Sequence, residues 1–293
     1  MVTGGSGFIG SHLVDKLRES GYDVRVFDLM KPHREDVEWF KGDLRNSDDV
    51  LKAFRDIHCV FHLGAIADVN VALSNPELCV YVNEIGMLNV LKAAQSFEVE
   101  RVILASTTWV YGRTEGIATE ETPTPPPDHL YTSTKIAQEH LLISWSKHYG
   151  VPYTILRYDI PYGPRMRSNM AIAAFVRRAM KGEPITIFGD GTQGRCFIYV
   201  EDLAEGNVAA LCEKAKNHII NLAGGEFITI NRIVEELKKI FGHIEVRYEP
   251  PRPGDFRGTI ISIEKAKKLL NWRPKTNFSE GLKRYVEYIK THN

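Results

Sequence analysis

The chain predicts an α/β fold, a doubly wound, Rossmann-type parallel sheet with a smaller C-terminal lobe. Three observations carry this expectation. A glycine-rich turn, with Gly4, Gly7 and Gly10, follows a short apolar run and opens an amphipathic stretch that ends at Ser20-Gly21. Apolar β-forming runs then alternate with helical ones at the spacing of parallel β-α-β units. Beyond Pro161 that rhythm loosens, and it resumes only over about 195–224. The expected division is 1–160 for the sheet domain, with 195–224 returning to it, and 161–194 plus 225–293 for the lobe.

In order, DVRVFD (23–28) and VEWFKGD (37–43) read as strands, and Asn46 can cap a helix through about Arg55. CVFHLGA (59–65) is a buried strand, and a long helix runs from Asn75-Pro76 to Phe97. RVILAS (101–106) is the next strand, then a proline-rich loop at 123–127, a helix over 131–149 and the strand YTILRY (153–158). A helix over 169–180 and a strand over 184–191 follow. FIYVEDLAEGNVAAL (197–211) and HIINLAG (218–224) restore the strand–helix–strand order. A helix (231–241), a strand (243–248), a Pro-rich loop and two short helices complete the chain.

Both long helices carry apolar residues around much of their circumference: Leu78, Val82, Ile85, Val90 and Leu91 on one, Ile136, Leu141, Leu142 and Trp145 on the other. One apolar stripe suffices to cover a sheet face. The surplus fits a homodimer seam or burial under the C-terminal part.

The 293 residues include 37 basic and 37 acidic side chains, so no global field points to nucleic acid or an anionic membrane. No apolar run is long enough to span a bilayer and no signal peptide is visible. Cys59, Cys79, Cys196 and Cys212 are scattered without metal-ligand spacing. Free thiols, no metal and a cytoplasmic location are expected. The glycine turn arrives after three residues, so the natural chain is expected to begin a few residues upstream.

The chemistry falls at the ends of these elements. A tight glycine turn lets the backbone approach a pyrophosphate, which the following helix N-terminus can bind. Asp28 ends the second strand, where an acid can accept from a ribose diol and repel a 2′-phosphate, favouring NAD over NADP. Read alone, it is a turn aspartate, and Lys31 and Arg34 stand nearby. Tyr131 and Lys135 form Y-x-x-x-K, one helical turn apart. Tyrosine, with a pKa of about 10, needs about 4 kcal/mol of differential stabilisation to be a phenolate at neutral pH. The lysine and a hydroxyl donor can contribute to that. Ser106-Thr107-Thr108, at the end of RVILA, offers the donor or merely caps the strand.

Taken with VTGGSGFIGSHL, KGDLRN, FHLGA, LASTTWVYG, YTSTK, LRYDIPYGP, GDGTQGRCFIYVEDLA, PRPGD and LLNWRPK, these features resemble the extended short-chain dehydrogenase/reductases. Within them, the chain is similar to the NAD-dependent epimerase/dehydratase family over nearly its whole length. The resemblance implies Thr107 as catalytic hydroxyl, Tyr131 as base and Lys135 as the lysine that also holds the nicotinamide ribose. It places Phe8 and Ile9 under the pyrophosphate, Asp43 and Leu44 by the adenine, and Leu63, Gly64 and Ala65 in the central cleft. His62 in the same stretch reads as a packed core residue. On the substrate side it implies Arg195 and Arg252 on a nucleotide diphosphate, Asp255 on its ribose and Phe188 against the base, with uridine the default.

The implied activity is an NAD-dependent nucleotide-sugar 4-epimerase, an isomerase acting on a UDP-hexose through a 4-keto intermediate. Dehydratases and decarboxylases of the family place carboxylates just after the Ser/Thr; here Thr108 and Trp109 stand there, and neither shuttles protons near neutral pH. A dehydratase or reductase and a non-catalytic NAD-binding protein remain the alternatives. The departures are Ile160 for the asparagine of LRYFN, Cys196 in the usual Arg-Asp-Phe, and Ala67 for an epimerase lysine. Arg165 and Arg167 are either surface cations or partners for a sugar carboxylate.

Overall fold

The computed structural model describes residues 1–251 and 256–292. Strand β1 (Val2–Thr3) enters the glycine turn and α1 (Phe8–Glu19) leaves it, with Gly21 at φ +84 reversing the chain after the helix. Strands β2 (Arg25–Asp28) and β3 (Glu38–Lys41) follow. Helix α2 (Ser47–Ala53) starts where the Asn46 side chain accepts the N–H groups of Asp48 and Asp49. After β4 (Cys59–His62) comes α3 (Val69–Ser74), which the apolar pattern does not announce; Asp68 caps it.

The helix expected over 76–97 is divided. Helices α4 (Pro76–Val80) and α5 (Gly86–Ser96) are joined by a π turn at Tyr81–Ile85. The extra residue turns Asn83 inward, where it is fully buried. Strand β5 (Arg101–Thr107) is buried throughout, then a 3₁₀ turn (Thr108–Tyr111), β6 (Ile117–Ala118) and α6 (Leu130–Tyr149) follow. Gly150, at φ +73, closes α6.

The rest comprises β7 (Tyr153–Tyr158), β8 (Pro161–Tyr162), α7 (Ala171–Met180), β9 (Ile185–Phe188), β10 (Gly194–Arg195) and β11 (Ile198–Tyr199). Then come α8 (Val200–Ala209), β12 (His218–Leu222), β13 (Ile228–Thr229), α9 (Ile230–Phe241), β14 (Val246–Glu249), β15 (Ile260–Ile261), α10 (Glu264–Leu270) and α11 (Phe278–His292). At 15 residues, α11 is longer than the short helix expected there.

The central sheet runs β12-β7-β5-β4-β1-β2-β3 with every pair parallel. Successive residues of a strand face opposite sides, so Ile103 packs under α1 and α8 with Leu13, Leu203 and Trp272, whereas Leu104 packs under α2, α5 and α6 with Phe54, Leu91 and Leu142. A third cluster, with Ile172, Val176, Ile185, Leu237 and Leu282, belongs to the C-terminal elements. Helix α10 packs with the sheet rather than with that cluster, through Ala266 and Leu270.

Of the surplus apolar residues, Val90, Leu91 and Leu142 are fully buried, and Ile136, Leu141 and Trp145 rest half-buried on the chain's own cores. Leu73, Tyr81 and Ile85 stay exposed. No helix among the described residues is long and apolar enough to cross a membrane.

One ion pair ties α6 to the sheet. The Glu139 carboxylate accepts two bonds from the Arg157 guanidinium, at 3.0 and 2.7 Å, and a short one from the Ser106 hydroxyl. Both charged side chains are 5% exposed. Removing one partner strands the other charge in low dielectric, so Glu139→Ala should cost about 3–5 kcal/mol. A urea midpoint within error of the parent protein would show that the pair is not needed.

Candidate active site

A cleft of about 660 Å³ opens at the C-terminal ends of the parallel strands. Its walls bring together every residue that the sequence assigns to the cofactor: Gly4, Gly7, Phe8, Ile9, Gly10, Asp28, Asp43, Leu44, Leu63, Gly64, Ala65, Tyr131 and Lys135.

The outer half is a cradle. Gly4 sits at φ +69, and a Cβ there would lie 2.7 Å from the Gly64 N; one on Gly10 would lie 2.1 Å from the Gly4 carbonyl oxygen. Only hydrogen fits at either position. Helix α1 starts at Gly7 with no side-chain cap, which leaves its first-turn N–H groups for a ligand anion. The Asp28 carboxylate accepts the N–H groups of Ser6 and Met30, both at 3.0 Å, and so faces the turn. The cations nearby have acid partners: Arg34 forks onto both Asp36 oxygens and reaches Asp15, and Lys31 lies 3.6 Å from Glu35. At the far wall the Arg45 guanidinium holds the Asp43 carboxyl below the usual carboxylate range. These donors and acids fit a dinucleotide with free ribose hydroxyls.

The inner end carries the reactive groups. Burial pushes the Tyr131 phenol above its ordinary value, with the Arg167 charge acting in the opposite sense. Among the described residues no group hydrogen-bonds its hydroxyl, and Trp109 meets the ring edge-on at 6.4 Å. The sequence expects Lys135 to approach that hydroxyl; instead its Nζ donates to the Ala105 carbonyl at 2.8 Å. Burial lowers Lys135 to about 8, opposed by the Glu139 carboxylate.

The hydroxyl cluster separates by commitment. Ser106 donates to Glu139 and Thr108 donates to Asp159 at 3.1 Å. Thr107 accepts the Trp109 N–H at 3.2 Å, and among the described residues its own proton has no acceptor. Thr107 is buried beside the cleft, in register with Tyr158, which lines it. His62 is a core residue: it is fully buried, bonded through Nδ1 to the Thr3 hydroxyl at 2.8 Å, and pushed down to about 3 by burial and then by the Lys135 charge.

A second cavity, also of about 660 Å³, lies in the lobe between Phe188, Gln193, Tyr248, Phe256 and Arg257. Arg195 leads from β10 toward it, with its guanidinium 4.7 Å over the Phe256 ring. Arg252 and Asp255 lie outside the described residues. Arg165 and Arg167 line the first cleft rather than standing free. Arg165 pairs with Asp15 at 2.8 Å and Arg167 with Asp68 at 3.6 Å.

The model of the NAD dependent epimerase/dehydratase family matches residues 1–223. The chain belongs to this family. It is 33% identical over its whole length to a putative UDP-glucose 4-epimerase of Methanocaldococcus jannaschii, covering 99% of that protein. It is 36% identical to a UDP-glucuronate 4-epimerase of Thermodesulfobacterium geofontis, over 99% of this chain and 95% of the relative. Among solved structures it resembles the UDP-glucuronic acid 4-epimerase of Bacillus cereus in complex with UDP-glucuronic acid and NAD. That match has a TM-score of 0.92 at 34% identity, covering 100% of this chain and 99% of that one.

Within this member of the epimerase/dehydratase family, sequence reasoning missed Asn83. Its side chain accepts the Ile66 N–H at 2.8 Å and donates to the Ile66 carbonyl and the Thr134 hydroxyl. Thr134 in turn donates to the Tyr131 carbonyl, so Asn83 joins the Gly64–Ile66 loop to the first turn of α6. The available signal was a polar residue inside an apolar helical run. The cradle yields a prediction. The chain should bind NAD at least about tenfold more tightly than NADP, and Gly10→Ala should weaken both, because a buried Cβ cannot be accommodated without moving the turn. Equal affinities, or an alanine variant with parent affinity, would count against this account of the cradle.

Proposed function

We propose that the chain is an NAD-dependent UDP-sugar 4-epimerase. One observation supports the reading: Tyr131 and Lys135 line the inner end of a dinucleotide cleft, and Thr107 is buried beside it, in register with the cleft-lining Tyr158. The chemistry that NAD supplies when bound is acceptance and return of a hydride at C4. Tyr131 takes the proton of the C4 hydroxyl and gives it back after the 4-keto sugar has turned over. Thr107, the uncommitted donor, holds the C4 oxygen. Lys135, held on the Ala105 carbonyl as a buried cation, can hold the nicotinamide ribose, while the Arg167 charge is the one that favours the phenolate. Gly4, Gly7 and Gly10 receive the pyrophosphate with Phe8 and Ile9, and Asp28 the adenosine ribose. In the lobe, Arg195 and Arg252 take the nucleotide diphosphate, Asp255 its ribose, and Phe188 the uracil. The lobe of 161–194 and 225–293, apart from α10, which packs with the sheet, would serve the substrate and the sheet domain the cofactor.

Epimerisation is favoured over dehydration because neither Thr108 nor Trp109 supplies an acid at the sugar. A uronate is the second reading for the sugar. Arg167 lines the cleft, is half exposed, and sets its charge against burial at Tyr131, where a C6 carboxylate would pass. The exposed Leu73, Tyr81 and Ile85 support a homodimer, and the four free thiols support a cytoplasmic setting.

Incubation with UDP-glucose, UDP-galactose and their N-acetyl and uronate counterparts should give C4 interconversion without net redox. Tyr131→Phe should keep NAD and lose about 10²- to 10⁴-fold in turnover. A product lighter by one water means a dehydratase, and parent rates in the phenylalanine variant would remove Tyr131 as base. Ultracentrifugation should find a dimer that Ile85→Asp weakens; a monomeric parent chain would end the dimer reading.

A further inference from the structure

The 3₁₀ turn after β5 carries an exposed tryptophan that the proposed reaction leaves unused. Of the four side chains of Thr108–Tyr111, three are fixed in the interior. Thr108 donates to Asp159, which also accepts the Cys196 N–H at 3.0 Å. Val110 packs in the sheet core, and Tyr111 donates to Asn221 at 2.6 Å. Gly112, at φ +58, then brings the chain so close to Pro125 that a Cβ would lie 2.7 Å from the proline ring. Trp109 alone is left exposed, at 37%.

A single exposed tryptophan needs no function to explain it. This one is joined to both groups that must meet the sugar C4 oxygen. Its backbone N–H donates to the Thr107 hydroxyl oxygen at 3.2 Å, and its indole meets the Tyr131 ring edge-on, with 6.4 Å between centroids. The His129 ring, just before α6, lies tilted against it at 5.6 Å. Neither Trp109 nor His129 is among the described residues that line the dinucleotide cleft, so the indole stands outside the space left for the cofactor. Held by its turn and by two rings, it is a preformed surface that loses little freedom when a ligand lies on it.

We infer that Trp109 is the platform on which the sugar ring stacks. This rests on Thr107 and Tyr131 being the groups that hold the C4 oxygen. A pyranose presents C–H groups on its faces and hydroxyls at its rim, and the electron-rich face of an indole suits the C–H groups. Such a contact consists of dispersion and the burial of apolar surface, neither of which has a direction. The 4-keto sugar has to be held by each of its faces in turn before the hydride returns. A hydrogen-bonding side chain at this position would favour one face, whereas the indole serves both. Trp109 therefore sets how strongly the sugar is held without setting which C4 epimer is held.

The sugar's share of binding is read by comparing UDP, which lacks it, with UDP-glucose and UDP-galactose on the NAD-loaded chain. In calorimetric titration, Trp109→Ala should weaken both UDP-sugars by about three- to tenfold and to the same extent, while UDP binds as it does to the parent. Trp109→Phe keeps a ring and should recover most of the loss. UDP-glucose should also quench part of the parent's tryptophan emission, and that part should vanish in Trp109→Phe; this carries the test if the alanine variant does not fold. An unchanged ratio of UDP-glucose to UDP affinity in Trp109→Ala, a loss confined to one epimer, or a quench that persists in Trp109→Phe would overturn the proposal. So would an equal loss for UDP itself, which would make the indole a mere support for the turn. Thr107→Val tests the underlying reading separately: it should lower turnover about 10²-fold with the quench intact. Parent turnover in that variant would remove Thr107 as the holder of the C4 oxygen instead.

Discussion

The Glu139 carboxylate, sealed between α6 and the sheet, sets most of what happens at the inner end of the cleft. It lies one helical turn beyond Lys135 and two beyond Tyr131, so the same face of α6 presents phenol, ammonium and counter-ion in sequence. Its bonds to Arg157 and Ser106 press that face onto β7 and β5. Its charge also opposes the burial that lowers Lys135. A cation is kept deep in the protein because an anion has been placed below it. Without that anion, the ammonium directed at Ala105 would bear its burial with one fewer compensating charge.

The same placement decides which hydroxyl is left for chemistry. Three hydroxyls stand in a row at the end of β5, and a strand sends neighbours to opposite faces. Ser106 faces Glu139, Thr108 is drawn to Asp159 by the 3₁₀ turn, and Thr107 alone retains a proton without an acceptor among the described residues. The selection needs no special property of Thr107. It results from the commitments of its two neighbours.

Local signals were enough for the parts of the fold that are local in origin. The glycine turn, the Asn46 cap and the alternation of apolar runs fix the parallel sheet, and Y-x-x-x-K marks the inner wall because both residues share one helix face. What the chain did not disclose depends on distant partners. A polar residue inside an apolar run is the one local trace of Asn83, and it does not disclose the π turn that brings it to Ile66 and Thr134. The course of the Lys135 ammonium to Ala105, rather than to the phenol, is decided by β5. Asp159 reads as a polar residue after an apolar strand until Thr108 and Cys196 are brought against it. Helix α10 falls in the stretch assigned to the lobe, yet its apolar face matches the sheet core.

The two arginines after Gly163-Pro164 show why composition alone misjudges a cation. The segment 164–169 crosses from the lobe to the mouth of the cofactor cleft, and four contacts hold it there. The His12 ring bonds the Pro164 carbonyl, Arg165 pairs with Asp15, Arg167 with Asp68, and Asn169 donates to Asp68. Each exposed pair contributes about 0–1 kcal/mol in isolation. Acting together on one short segment, they share a single ordering cost, because fixing the first fixes most of the rest. Burial pushes His12 down to about 4, so it donates to the Pro164 carbonyl as a neutral ring rather than as a second cation beside Arg165. The segment therefore ties α1, on one side of the cleft, to the loop after β4 on the other. The proposed cofactor site and the proposed substrate lobe meet across it, with Arg167 lining the same cleft as Tyr131.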